Sequence, residues 1–158
     1  MLREKVIRND MNDIPRPRRA LQRTDRSLPI ALLRAREAVM APIREMLADA
    51  GVTEQQWRVL RVLEESGPLD SARAAKMSSL LAPSLSRIVQ TLTAKGLVHR
   101  TSPESDRRRQ MLEISPDGSA LLARYRDEAL RLARRNEARL GTERLEILLD
   151  LLAELQKP

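Results

Sequence analysis

The 158-residue chain has no cysteine, one histidine, no phenylalanine, and a single tryptophan and tyrosine. Each shortage excludes a kind of chemistry. Without cysteine there is no disulfide framework, no thiol nucleophile and no thiolate metal site. A lone histidine, His99, rules out histidine metal clusters and most nucleophile–histidine pairs. Two aromatics, Trp57 and Tyr125, are too few for the stacking platforms of single-stranded nucleic-acid binders. No run approaches the roughly 18 apolar residues of a membrane span, and the basic N-terminus lacks the apolar core of a signal peptide. Neither a glycine-rich phosphate loop nor a metal-ligand spacing is present. No cofactor and no metal are therefore expected, and an enzyme is the weakest reading. The expectation is a soluble cytoplasmic protein with one core, since 42% of the residues are hydrophobic.

What is abundant is positive charge, +7 overall, and its distribution is uneven. Residues 1–27 carry +4, 28–70 carry −2, 71–110 carry +6 and 111–158 carry −1. A basic centre between neutral or acidic helical segments is the electrostatic footprint of a nucleic-acid reader. The plainer alternative is a solvated surface that happens to be basic. Residues 1–27, with Pro15, Pro17 and the run Arg16-Pro17-Arg18-Arg19, show no apolar period and read as a flexible basic arm. Met11 is a possible alternative start.

From Leu28 the apolar spacing becomes helical, with Leu32, Ala35, Val39, Ile43, Met46 and Leu47 on one broad face and Gly51 as the stop. Pro42 inside this stretch should bend or split the helix. Thr53-Glu54-Gln55-Gln56 is a capping box opening a helix that turns Trp57, Leu60 and Leu63 inward. Residues 71–77 make a short helix. Pro83 in a first turn then starts another, on which Leu85, Ile88, Val89 and Leu92 share a narrow arc. Its opposite face centres on Pro83, Arg87 and Gln90, flanked by Ser84, Ser86 and Thr91, and has no acidic residue.

Leu97–Arg100 and Met111–Ile114 read as two short strands, joined by a long tip that contains Asp106, Arg107, Arg108 and Arg109. His99 is either structural or a phosphate contact. Ser115-Pro116-Asp117 starts a helix over about 116–140, and Gly141-Thr142 separates it from a last helix over about 142–156. Leu145, Leu148, Leu149, Leu152 and Leu155 give that last helix an apolar stripe in need of a partner.

Helix, short turn, helix with a polar outer face, then a two-stranded ribbon with a basic tip: this order describes a winged helix-turn-helix. The fold expected is mainly α with a small β-wing, its N- and C-terminal helices forming a dimerisation lobe. A helix fits the major groove, where side chains meet base edges, and an arginine-bearing loop enters the adjacent minor groove. Pro83, Ser84, Ser86, Arg87, Gln90, Arg107 and Arg108 are the candidate DNA-binding residues. Asp106 is expected to hold Arg108 in a fixed pose through a bidentate pair, a reading compatible with the plainer one of an aspartate that starts a turn. Each arginine alone is as readily an ordinary solvated side chain; the order and spacing together favour DNA.

From Leu28 to Leu155 the chain resembles the multiple-antibiotic-resistance regulator (MarR) family of winged-helix repressors. The family's wing pattern of Asp, any residue, Arg is met by Asp106 and Arg108. Ser27–Ala38 and the following TEQQWRVLRVLEE are similar to the regulators of homoprotocatechuate degradation operons within that family. The sequence departs from many members at Ala82, where a Ser, Thr or Asp cap is usual, so hydroxyl contacts are left to Ser84 or Ser86.

The resemblance implies one domain over 28–158, with the winged helix-turn-helix over about 53–115 and dimerisation helices over about 28–50 and 116–156. It further implies a homodimer on a pseudo-palindromic double-stranded operator, released by a small aromatic acid of the hydroxyphenylacetate or hydroxycinnamate type. Such a protein would repress an aromatic-catabolic operon and have no membrane partner. Ser27, Arg36, Trp57 and Arg58 are the effector candidates, an arginine clamping the carboxylate and Trp57 covering a ring. For Trp57 the plainer reading, a core residue beside its capping box, is the favoured one. Arg36 and Arg58 have ordinary ion-pair partners in Glu37, Glu54 or Glu65. The competing function is an effector-independent architectural DNA binder, which would occupy many sites alike and ignore metabolites.

Overall fold

The computed structural model describes residues 23, 24, 26–102 and 110–157. The chain divides into two units, 1–35 and 36–158. Most of the arm expected over 1–27, Met11 included, lies outside the described residues, as does the tip with Asp106, Arg107, Arg108 and Arg109. In the first unit Arg26 N donates to Arg23 O, and α1 (Leu28–Asp49) opens with Ala31 N donating to Ser27 O, each at 2.8 Å. Leu28, Leu32 and Leu33 of this unit are exposed.

In the second unit α1 ends and is followed by α2 (Glu54–Ser66), β1 (Leu69–Asp70), α3 (Ser71–Met77), α4 (Ala82–Ala94), β2 (Val98–Thr101) and β3 (Met111–Ile114). Then come α5 (Pro116–Arg124), α6 (Arg126–Leu140) and α7 (Thr142–Glu154). The mainly helical winged-helix expectation holds, and short polar side chains set several of its boundaries. Thr53 and Gln56 form the capping box of α2: Gln56 N donates to Thr53 Oγ1 at 3.2 Å and Thr53 N to Gln56 Oε1 at 3.0 Å. Asp70 caps α3 by accepting from Arg73 N at 2.8 Å. Ser115 caps α5, accepting from Gly118 N at 3.0 Å while donating to Gly96 O at 2.6 Å. Gly118 is required there, because a Cβ would sit 2.4 Å from Leu97 O and 2.6 Å from Ile114 Cγ1.

The sheet is antiparallel in the order β1-β3-β2. Its third strand, β1, goes beyond the two-stranded ribbon of the sequence reading; Leu69 pairs with Leu112 there and is buried. One core cluster joins α2 to the sheet, α3, α4 and α5 through Val59, Leu60, Leu63, Leu85, Val89 and Leu92. Burying each such side chain contributes about 1.5–3 kcal/mol. A second cluster gathers Met46, Leu47, Val52, Tyr125 and Leu132. Trp57, Leu97 and Leu121 pack against both.

Three further expectations are corrected. Of the two outcomes expected at Pro42, splitting does not occur: α1 runs unbroken from Leu28 to Asp49. The helix expected over 116–140 is two helices, interrupted at Tyr125 (φ −101°, ψ 8°). A tertiary contact fixes that break: Tyr125 Oη donates to Asp49 Oδ2 at 2.6 Å. The cap position of α4 falls to Leu81 rather than Ala82, with no side-chain cap bond. On α7 no residue is buried, and Ile147, Leu148, Leu149, Leu151 and Leu155 stand exposed. Among the described residues no helix is long and apolar enough to cross a membrane, and no cluster of acidic and histidine side chains could hold a metal.

Candidate functional site

The helix-turn-helix is built from α3, a four-residue turn and α4. Ser79 takes the left-handed conformation in that turn (φ 51°), which folds Leu80 N back onto Ala75 O at 2.9 Å. Ser78 beside it is fully buried, its hydroxyl without a hydrogen-bond partner among the described residues. The turn is gripped from α2: Arg58 Nη1 donates to Ser78 O at 3.0 Å, while its Nη2 donates to Glu54 Oε1 at 2.9 Å.

α4 divides as its periodicity predicts. Leu85, Ile88, Val89 and Leu92 are buried, and Pro83, Ser86, Arg87 and Gln90 are exposed. Ser84 is half-buried. Thr91 turns its hydroxyl back to Arg87 O at 3.1 Å, so that hydroxyl already has a partner within its own helix. Arg87 makes no ion pair among the described residues. The face is therefore cationic, acid-free and backed by an apolar core.

At the base of the wing, Arg100 Nη1 donates to Gln110 Oε1 at 3.0 Å. His99 lies on β2 opposite Glu113, with Nε2 and Oε2 3.4 Å apart. Both side chains are exposed, so the pair contributes little to stability.

A cavity of about 500 Å³ opens between α2 and α6, lined by Trp57, Arg61 and Glu64 on one side and Arg126, Ala129 and Ala133 on the other. That volume lies in the usual range of small-molecule sites. Trp57 is half-buried, and its ring meets that of Tyr125 edge-on at 6.5 Å and 85°. Arg61 Nε donates to Glu65 Oε1 at 2.8 Å, and Ser119 Oγ donates to Glu64 Oε2 at 2.7 Å. A smaller and more polar cleft of about 270 Å³ lies between α1 and α6, with Val39, Pro42, Glu45, Arg135 and Arg139 among its walls.

Of the four effector candidates, only Trp57 is a wall of the larger cavity. Arg36 and Arg58 both pair with Glu54, the bland alternative for each, and Arg58 also serves the recognition turn. Ser27 belongs to the first unit, half-buried at the start of α1. On α2 the arginine that shares the cavity with Trp57 is Arg61, four residues along, and Arg126 faces it from α6. Helical spacing is the signal that separates the two arginines of α2: a residue four positions on shares a face, whereas the adjacent Arg58 is turned about 100° away.

Residues 50–109 match the model of the MarR family. The chain is 40% identical over 131 residues to the HTH-type transcriptional regulator FarR of Neisseria gonorrhoeae, covering 83% of this chain and 90% of that one. It is 38% identical over 128 residues to the homoprotocatechuate degradative operon repressor of Escherichia coli, covering 81% and 86%. Among solved structures, NadR in complex with 4-hydroxyphenylacetate superposes with a TM-score of 0.75 at 39% identity, over 87% of this chain and 98% of that one. The buried and exposed faces of α4, the three-stranded wing sheet and these relatives agree: the chain belongs to the MarR family of helix-turn-helix transcriptional regulators.

Proposed function

We propose that the protein is a dimeric repressor of an aromatic-compound catabolic operon, released from a pseudo-palindromic operator by a small aromatic acid. The observation that carries the ligand-responsive reading is the double duty of α2. Trp57 and Arg61 line the cavity, while Arg58, one residue from Trp57, holds the carbonyl of Ser78 in the turn that sets α4. A ligand that moves α2 against α6 therefore acts on the same helix that aims the recognition face. The homoprotocatechuate operon repressor and the hydroxyphenylacetate-bound NadR support the ligand class. The effector-independent architectural reading has no use for such a cavity.

Pro83, Ser86, Arg87 and Gln90 then meet base edges and phosphates in the major groove, with Ser84 at their margin. Arg107 and Arg108 serve the minor groove, Asp106 positioning Arg108. Dimerisation rests on apolar surface without a cover: Leu28, Leu32 and Leu33 in the first unit, and the exposed leucines of α7 in the second. A two-fold dimer sets two recognition helices about one DNA turn apart. Residues 28–158 act as this module and the basic arm over 1–27 adds sequence-independent attraction.

Release follows from population shift: ligand and DNA prefer different spacings of the two recognition helices. By linkage, the factor by which ligand weakens DNA binding equals the factor by which DNA weakens ligand binding. Footprinting tests the proposal, with one short palindrome protected and then freed by a panel of aromatic acids. Uniform protection of unrelated DNA, unmoved by any acid, would favour the architectural binder. Light scattering that gives a monomer at micromolar concentration would overturn the dimer.

A further inference from the structure

In the winged-helix part, one helix start has no polar cap. α2, α3 and α5 each begin on a side chain that accepts a backbone N–H, those of Thr53, Asp70 and Ser115. α4 begins on Leu81, which makes no side-chain cap bond. Ser, Thr, Asp and Asn favour a helix start, and leucine is among the residues that do not. Burial does not explain the leucine either. Leu81 is 77% exposed, the highest value of any large hydrophobic residue described. Ala82 and Pro83 after it are exposed too, so three consecutive apolar residues stand in water at this end of α4. A single exposed leucine is ordinary on a protein surface. Here the apolar tip runs directly into the polar face of Ser86, Arg87 and Gln90.

We infer that Leu81 determines sequence choice by packing on the 5-methyl group of a thymine in the operator's major groove. In helix-turn-helix proteins the N-terminal residues of the second helix are the ones brought to base edges. Those edges offer one apolar substituent, the thymine methyl; their other distinguishing groups are hydrogen-bond donors and acceptors. A leucine set against a donor or acceptor strips it of water and gives it no partner. Set against a methyl, it removes apolar surface of both groups from water. Leu81 thus selects thymine at one position of each half-site, and the hydrogen-bonding positions fall to Arg87 and Gln90. The inference rests on the proposed palindromic operator, not on its release by a ligand, and adds one base and the residue that reads it.

Deoxyuridine pairs as thymidine does and lacks only that methyl, so it supplies the test. The full-length protein is titrated by anisotropy against its footprinted operator at one fixed salt concentration. It is also titrated against duplexes in which each thymine in turn, with its two-fold mate, is replaced by deoxyuridine. At one such pair the loss should be about fourfold for each methyl removed, and roughly fifteenfold for both if the half-sites are independent. Leu81→Ala should bind the intact operator about as weakly as wild type binds that substituted one, and should no longer distinguish the two. Leu81→Asn, which restores a polar cap, should melt no lower than wild type and lose the same contrast; it decides the matter if the alanine variant does not fold. A thymine–deoxyuridine ratio unchanged in the variants, whether or not their overall affinity falls, overturns the inference. So does an operator in which no thymine pair matters. If footprinting finds no preferred sequence at all, the operator reading fails first and this one with it.

Discussion

Arg58 Nη1 reaches across twenty positions of sequence to the carbonyl oxygen of Ser78, 3.0 Å away. This one bond ties α2 to the turn of the helix-turn-helix, and Glu54 fixes the same guanidinium from its other side. Arg58→Ala should therefore weaken operator binding, and the protein should lose about 1–2 kcal/mol of stability. Arg58→Lys should recover little, because a single ammonium point cannot bridge a carbonyl and a carboxylate as the planar fork does. Fluorescence anisotropy on operator DNA and thermal melting measure the two effects. Undiminished operator affinity in Arg58→Ala would remove the grip on the turn as a determinant of DNA binding.

Ser79 is the described non-glycine residue with positive φ, 51°, and it sits between α3 and α4. A side chain in that conformation costs about 1–2 kcal/mol, offset here by two bonds, Ser79 N to Lys76 O at 3.1 Å and Leu80 N to Ala75 O at 2.9 Å. Ser79→Gly should be neutral or stabilising by less than about 1 kcal/mol, since glycine relieves strain but loses more chain entropy on folding. Ser79→Val should cost about 1–2 kcal/mol, because a β-branched residue fits left-handed backbone poorly. Denaturant melts rank the three proteins; a valine variant as stable as wild type would mean the turn relaxes to another conformation.

Which features were legible in the sequence follows from how local their causes are. The capping box at Thr53, the Ser115 start of α5 and the two faces of α4 each depend on residues within one or two turns, and all were readable. The two residues of β1 are too few to show a period, and only pairing with Leu112 and Met111 makes them a strand. Tyr125 is an acceptable helix residue, so nothing local announces the break; a partner 76 positions earlier causes it. Arg58 and Arg61 differ in the same way. Spacing puts Arg61 on the face of Trp57, but which face of α2 meets a cavity is decided by where α6 packs.

The wing pattern carries a prediction of its own. If Arg108 reads a minor groove and Asp106 positions it, Arg108→Ala should weaken operator binding by about 1–3 kcal/mol. Asp106→Ala should weaken it less but in the same direction, although removing a negative charge near phosphate would by itself tighten binding. Anisotropy titrations at one fixed salt concentration compare the variants. Tighter binding by Asp106→Ala would show that the aspartate only repels DNA.

The break between α5 and α6 should make stability sensitive to alkaline pH. The Asp49 carboxylate accepts the phenolic proton of Tyr125; that bond first, then burial and the carboxylate's charge, holds the phenol above its ordinary value of 10.0. The Arg124 guanidinium, 5.6 Å from the ring centroid, pulls the other way but less strongly. Because the folded value is raised, the folded state keeps its proton where the unfolded chain releases one. The bond's contribution is thus complete below the unfolded pKa and is lost as pH rises through the higher folded value. Tyr125→Phe keeps the edge contact with Trp57 but not the bond to Asp49. Denaturant melts from about pH 8 to 11 should give a constant gap between wild type and Tyr125→Phe up to about pH 9, shrinking above 10. Arginines and carboxylates elsewhere cancel in that difference because both proteins carry them. A gap that stays flat through the tyrosine range would mean that Asp49 does not hold the phenol in solution, and that another contact breaks the helix.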